Sequence, residues 1–223
     1  MSCRTVILIS GSGSNLQAFI DHLHPEQTDI VAVISNRADA YGLTRAAQAG
    51  IPTEVLDHRN FADRASYDRA LAELIDGYQP GWVILAGFMR ILTPEFVTHY
   101  QGRLLNIHPS LLPRYTGLHT HQRALEAGDS EHGATVHFVT EELDGGPAIM
   151  QSHVPVLADD TPDTLAERVR QTEHRLYPLA AQLCISGRVA LVDGQVQLDG
   201  SPIAPSGLRL DQFETDMRGH RND

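Results

Sequence analysis

Asn106, His108 and Asp144 are the side chains whose types and settings could do chemistry. Asn106 and His108 stand two apart in "RLLNIHPSLLPRYTG", residues 103–117, where Leu104, Leu105 and Ile107 read as a buried strand. Side chains alternate along a strand, so a spacing of two puts the amide and the imidazole on one face. An amide offers a fixed hydrogen-bond donor, and an imidazole carries a proton near neutral pH. In an open α/β sheet the carboxyl end of a strand borders the ligand crevice, which is where such a pair would work. The structural alternative is that Asn106 caps the strand and His108 is a satisfied core polar group. Asp144 lies in "EELDGGPAI", residues 141–149, and taken alone is also an ordinary acidic turn residue.

Two further stretches could bind ligands. "SGSGSN", residues 10–15, joins an apolar run to a helical pattern. Its small residues let backbone N–H groups approach a phosphate at a helix N-terminus. It is neither the dinucleotide fingerprint, whose third glycine would fall at Leu16, nor a P-loop. The competing reading is a tight turn with Ser14 or Asn15 as the helix cap. "GFMRIL", residues 87–92, ends another strand, and an apolar slot with one Arg suits a flat ring bearing an acid tail. The histidines of "DHLH" and "HTH" have no carboxylate or cysteine at metal-ligand spacing, which argues against zinc.

The elements that must position these residues follow from periodicity. "TVILIS", "DIVAVIS" and "GWVILA" are unbroken apolar runs suited to strands covered on both faces. "NLQAFIDHL", "GLTRAAQAG" and "RASYDRALAELIDGY" lie between them with helical spacing, Tyr67, Leu71, Leu74 and Ile75 forming one face of the last. Strand alternating with helix predicts an α/β fold with a mostly parallel, twisted sheet and helices on both faces. Downstream, "THQRALEAG" reads as a helix ending at Gly128, and "GATVHFVT" and "AIMQSHVPV" as strands. A long helix begins at Pro162 behind a Thr161 cap, and a hairpin turns about Asp193-Gly194. Residues 201–223 are polar and turn-rich and are expected to form a loosely ordered tail behind a single domain over 1–200.

The formal net charge of −11 argues against non-specific nucleic-acid binding but leaves a small anionic substrate open, because local donors can outweigh a screened global field. Only Cys3 and Cys184 are present, so no disulfide framework is suggested and a reducing cytoplasm fits. The first apolar run is too short for a signal peptide, and no stretch approaches a membrane span.

Together "ISGSGSNLQA", "SNRADAYGLTRA", "LAGFMRIL", "LLNIHPSLLPRYTGLHTHQRAL" and "EHGATVHFVTEELDGGPAIMQ" resemble, in order and spacing, the phosphoribosylglycinamide formyltransferase family over about residues 4–198. Thr116 departs from the family's usual proline. The resemblance implies a Rossmann-like formyltransferase fold and Asn106, His108 and Asp144 as the catalytic trio, with Asp144 raising the pKa of His108. It implies that Gly11, Ser12, Gly13, Ser14 and Asn15 hold the substrate phosphate and that Glu173 lies in the ribonucleotide segment. The implied folate pocket takes Met89, Ile91, Leu92, Asn106, Thr140, Glu141, Glu142, Leu143 and Asp144, with Arg64 and Arg90 meeting the glutamate carboxylates. The implied reactants are 10-formyltetrahydrofolate and phosphoribosylglycinamide, without metal, nucleic acid or membrane. The implied setting is the cytoplasm, as monomer or homodimer.

Related readings share the formyl-folate core. Methionyl-tRNA formyltransferase needs a further C-terminal domain and a basic surface, where a hairpin and a short tail are expected here. Formyltetrahydrofolate hydrolase normally carries a regulatory domain ahead of the first strand, which here begins at about residue 5. A non-catalytic folate- or nucleotide-binding module is the reading from another class, and the intact trio speaks against it.

Overall fold

The computed structural model describes residues 3–219, which gather into two compact units. One runs through Asn106 and takes in Val139–Glu141; the other holds Ile107–Phe138 and the chain from Glu142 onward.

In the first unit the apolar runs become strands β1 (Cys3–Ile9), β2 (Thr28–Ser35) and β4 (Trp82–Leu85). Val6 to Ile9 and Ile30 to Ile34 are all buried, which is why neither run alternates. A short edge strand β3 (Thr53–Val55) and the start of β5 (Leu104–His108) complete the set. β1 pairs with β2 and β4, β2 with β3, and β4 with β5, every pair parallel. Strand order therefore reverses between β1 and β4, since β2 and β3 extend one way and β4 and β5 the other. Such a reversal opens a crevice at the carboxyl ends of the two strands. Ser10, just past β1, donates its N–H to the carbonyl of Gly87, just past β4, at 3.1 Å and ties the two exits together.

Helices α1 (Ser14–His22), α2 (Tyr41–Gln48) and α3 (Arg64–Gly77) follow the expected spacing. Tyr67, Leu71 and Ile75 of α3 join Val6, Leu8, Ile34 and Val83 in one apolar core. The periodicity did not announce β3 or the helix α4 (Pro94–His99), both too short to carry a pattern. Thr93 starts α4 by accepting the N–H of Phe96 at 3.4 Å, with Pro94 in its first turn.

The second unit contains α5 (Thr120–Glu126), the antiparallel pair β6 (Glu131–Phe138) and β7 (Ala148–Pro155), and α6 (Pro162–Ile185). Thr161 caps α6 by accepting the N–H of Thr164 at 3.2 Å, as its sequence predicts. β8 (Val189–Val192) and β9 (Gln195–Leu198) form the expected hairpin, with Asp193 and Gly194 both at positive φ.

The tail departs from the expectation of loose order, except that residues 220–223 lie outside the described chain. β10 (Ser201–Pro202) extends the hairpin, and β11 (Leu208–Arg209) lies parallel to β7, Leu208 opposite Met150 and Arg209 opposite Gln151. Helix α7 (Leu210–Gly219) follows, with an ion pair between Arg175 of α6 and Glu214. The physical reason is that β7 has an edge to pair and Leu210 is an apolar side chain that becomes buried. Leu210→Ala should lower the unfolding free energy by about 2–4 kcal/mol, read as a lower urea midpoint. An unchanged midpoint would mean that the tail contributes nothing to the native packing.

Candidate active site

His108 ends β5 with a side chain only 8% exposed. Its two ring nitrogens face different partners. Nε2 lies 2.8 Å from the carbonyl oxygen of Tyr115, an acceptor only, so Nε2 carries a proton and donates it. Nδ1 lies 3.4 Å from Oδ2 of Asp144, whose side chain is 9% exposed. The same Oδ2 accepts the N–H of Gly117 at 2.8 Å. Asp144, Tyr115 and Gly117 all stand at positive φ, the first two without being glycine, so two tight turns are bent to bring these groups onto the imidazole. Asn106, two residues back on β5, is half-buried. The geometry thus brings His108 and Asp144 together and leaves the imidazole with its far nitrogen anchored and its near nitrogen beside a carboxylate.

The loop that supplies the Tyr115 carbonyl is itself fastened. Ser110 donates its hydroxyl to the Arg114 carbonyl at 2.6 Å, and Arg123 donates to the Thr116 carbonyl at 2.6 Å. The Tyr115 hydroxyl and the Arg114 guanidinium both donate to Asp129. Thr120 donates to the carbonyl of Pro109 at 2.6 Å.

The glycine loop is described within the first unit. Gly13 is the N-cap of α1 at φ 69, without a side-chain cap bond, so the capping roles considered for Ser14 and Asn15 do not hold. A Cβ on Gly13 would meet the Cα of Gly42 at 2.6 Å, so both conformation and space require glycine there. Gly42 donates its N–H to the carbonyl of Gly11 at 3.0 Å, and Arg45 donates to that of Ser12 at 2.9 Å. Arg45 was not singled out by the sequence; inside "GLTRAAQAG" it reads as a surface helix residue. Its guanidinium places positive charge at a loop already suited to an anion.

The residues after β4 present apolar side chains to solvent, with Met89 70% and Ile91 57% exposed. Met89 is fixed by its N–H, which donates to Ser10 Oγ at 2.8 Å, and Ser10 in turn donates to Asn36 at 2.6 Å. Arg90 lies over the Tyr67 ring at 5.8 Å, and its buried Nε–H has no partner among the described residues. Leu92 packs on the apolar core, and Arg64 is exposed at the first turn of α3. Thr140 is half-buried, Glu141 accepts from Thr98 at 3.3 Å, and the carbonyl of Glu142 closes a turn with the Gly145 N–H. Leu143 is 54% exposed. Glu173 is buried on α6, next to Thr172, whose hydroxyl lies 2.7 Å from that of Ser152. Among the described residues no group of three or more His, Cys, Asp or Glu stands ready to hold a metal, and no helix is long and apolar enough to cross a membrane.

A sequence model of formyl transferases matches residues 3–181. The phosphoribosylglycinamide formyltransferase of Escherichia coli K12 is 54% identical over 209 residues, covering 93% of this chain and 99% of the relative. That of Haemophilus influenzae is 46% identical over 206 residues, covering 92% and 97%. The solved structure of phosphoribosylglycinamide formyltransferase from Coxiella burnetii, in complex with CHES, superposes with a TM-score of 0.90 at 50% identity, covering 94% of this chain and 99% of that one.

A pair of imidazoles lies elsewhere in the second unit. His132 of β6 is buried, with Nε2 3.1 Å from Nδ1 of His121 on α5, so one ring donates and the other must stay an acceptor. Burial, then the neighbouring His121, holds His132 down to about 4, and burial also lowers His121. Both folded values lie below the unfolded one, so the unfolded chain binds more protons between about pH 6.5 and 4. The stability contributed by the neutral pair is complete above that window and is lost as pH falls through it. The unfolding free energy should therefore drop by about 1–3 kcal/mol between pH 7 and 4, and His132→Gln should flatten the dependence. Buried His137, also lowered, keeps a residual slope. Equal slopes for parent and variant would remove His132 from this role.

Proposed function

Because the chain belongs to the formyl transferase family, we propose that it moves the formyl group of 10-formyltetrahydrofolate onto the amine of phosphoribosylglycinamide, in purine biosynthesis. The observation that carries the assignment of chemistry is the buried His108, anchored through Nε2 and set with Nδ1 at 3.4 Å from Asp144.

The amine of glycinamide resembles an α-amino group, with a pKa near 8, so a useful fraction is neutral at pH 7 and no strong base is demanded. Its lone pair attacks the formyl carbon, a C–N bond forms, and the carbonyl electrons move to oxygen. Asn106 donates its amide N–H to that oxyanion, a contribution of about 10²- to 10³-fold in turnover for one donor. The C–N bond to folate then breaks, the folate nitrogen takes a proton, and the attacking amine gives one up. Nε2 is tied to the Tyr115 carbonyl, so Nδ1 is the nitrogen left to carry the proton toward the leaving amine. General acid catalysis of this kind contributes about 10²- to 10⁴-fold. The Asp144 carboxylate supplies the opposite charge that an imidazolium needs in a buried setting.

The glycine loop, Gly11 to Asn15, is the proposed phosphate site, supported by the Arg45 brace, with Glu173 in the ribonucleotide segment. Met89 to Leu92 with Thr140 to Asp144 are the proposed folate contacts. The exposure of Met89 and Ile91 and the uncommitted Nε–H of Arg90 support that role. Arg64 and Arg90 would meet the glutamate carboxylates. Residues 1–200 are proposed to act as one formyltransferase domain, a reading supported by the family match across both units. The cytoplasm is the proposed setting, with no metal required and with the chain acting as monomer or homodimer.

The test is a steady-state assay with both substrates, following tetrahydrofolate release, beside His108→Ala, Asp144→Asn and a blank without the ribonucleotide. Turnover should need the ribonucleotide and fall by at least about 10²-fold in His108→Ala. Asp144→Asn should lose about 10-fold or more, mainly in kcat. Deformylation that proceeds without the ribonucleotide would point to a hydrolase instead. Folate binding with no turnover would point to a non-catalytic module.

A further inference from the structure

Gln151 stands on β7, takes no part in the chemistry just described, and nevertheless commits both of its amide protons to the loop that follows His108. Its Nε2 donates to the Leu112 carbonyl at 2.9 Å and to Thr135 Oγ1 at 3.0 Å. Thr135 faces Gln151 across the β6–β7 ladder. The Thr135 hydroxyl gives its single proton to the Ser110 carbonyl at 2.7 Å and accepts the Leu112 N–H at 3.0 Å. Ser110, Leu112, Thr135 and Gln151 are all buried, so water does not compete for these bonds.

The polarity of the network is fixed. The Leu112 carbonyl takes donors only, and Thr135 Oγ1 has already given its proton to Ser110, so the group opposite both must present N–H. Only the nitrogen of a carboxamide does this at position 151 without a change of shape; a carboxylate would turn two attractions into two repulsions. From Ser110 the chain of bonds continues to the Arg114 carbonyl, and the next residue supplies the carbonyl that holds His108 Nε2.

We infer that Gln151 is a positioning residue: through Thr135 and Leu112 it fixes the 110–114 loop, and through that loop the Tyr115 carbonyl that orients the His108 ring. The inference rests on the reading of His108 as the group that passes the proton. A misplacement of about 1 Å at a reacting group can cost about 10²-fold.

Gln151→Glu and Gln151→Met, each first shown to be folded at the assay temperature by circular dichroism, test it. The assay uses phosphoribosylglycinamide and 10-formyltetrahydrofolate, and ring ¹H–¹⁵N spectra follow His108. The expected result is a kcat lower by about 10- to 100-fold with both KM values within about 3-fold, together with loss of the protected Nε2–H resonance of His108. A network that served stability alone would lower the melting temperature and leave the kcat of folded enzyme and the resonance in place, and that result overturns the inference. If neither variant folds, the unaltered protein decides. A His108 Nε2–H resonance coupled across its hydrogen bond to the Tyr115 carbonyl carbon is expected, and a ring without a proton on Nε2 overturns the inference. Failure of the unaltered protein to transfer formyl would strike the functional reading, whereas the ring resonance reports on positioning without any turnover.

Discussion

Setting one imidazole between a backbone carbonyl and a carboxylate is the constraint on which the second unit's loops depend. A histidine buried at a strand end has two polar atoms to satisfy, and an unpaired one would cost about 1–3 kcal/mol. Here one nitrogen donates to a backbone carbonyl and the other faces a carboxylate 3.4 Å away. Meeting both demands forces the chain to turn back twice within a short distance, which explains positive φ at Tyr115 and Asp144 where the sequence carries no glycine. Strain of this sort persists only where surrounding bonds over-determine it. The bonds from Ser110, Thr120, Arg123 and Gln151 do so, and most of them end on carbonyls of the 109–116 loop.

The first unit solves a different problem with a different device. Its parallel strands deliver loop ends to a crevice at the β1–β4 reversal, and what must be held there is backbone rather than a titrating side chain. Close approach of α1 and α2 does this: Gly13 and Gly42 let the two segments nearly touch, and the Gly11 carbonyl is taken by Gly42. The loop's shape is therefore set by the absence of side chains at two positions distant in sequence. Ser10 performs the equivalent service for the segment after β4, accepting from Met89 while donating to Asn36.

These devices explain what could be read in advance. β1, β2 and β4 were legible because strands covered on both faces need unbroken aliphatic runs, and α6 because Thr161 and Pro162 mark its start. Asn106 and His108 drew notice because polar side chains interrupt such a run. Asp144 as the partner of His108 was legible only through family resemblance, since nothing local to a glycine-bracketed acid says which ring it will face. Arg45, Thr135 and Gln151 carried no signal, for the same reason in each case: one polar residue among others in a helix or strand has an ordinary explanation, and its real partner lies far along the chain. The tail misled because polar, turn-rich composition describes how much apolar surface a segment has. It does not reveal that β7 still has an edge to pair.

The same reasoning separates the parts of the site by how replaceable they are. A donor to an oxyanion or a flat apolar contact for a ring can be offered by several residue types in several places, because each acts on the ligand alone. Gln151 and Gly13 differ from them. Each meets a demand already fixed by other atoms, two acceptors in one case and a neighbouring backbone in the other, and in each case one chemical form satisfies it. Specificity of residue type thus arises less at the atoms that touch substrate than at those that hold a loop against the rest of the fold, where polarity and space have both been settled before the ligand arrives.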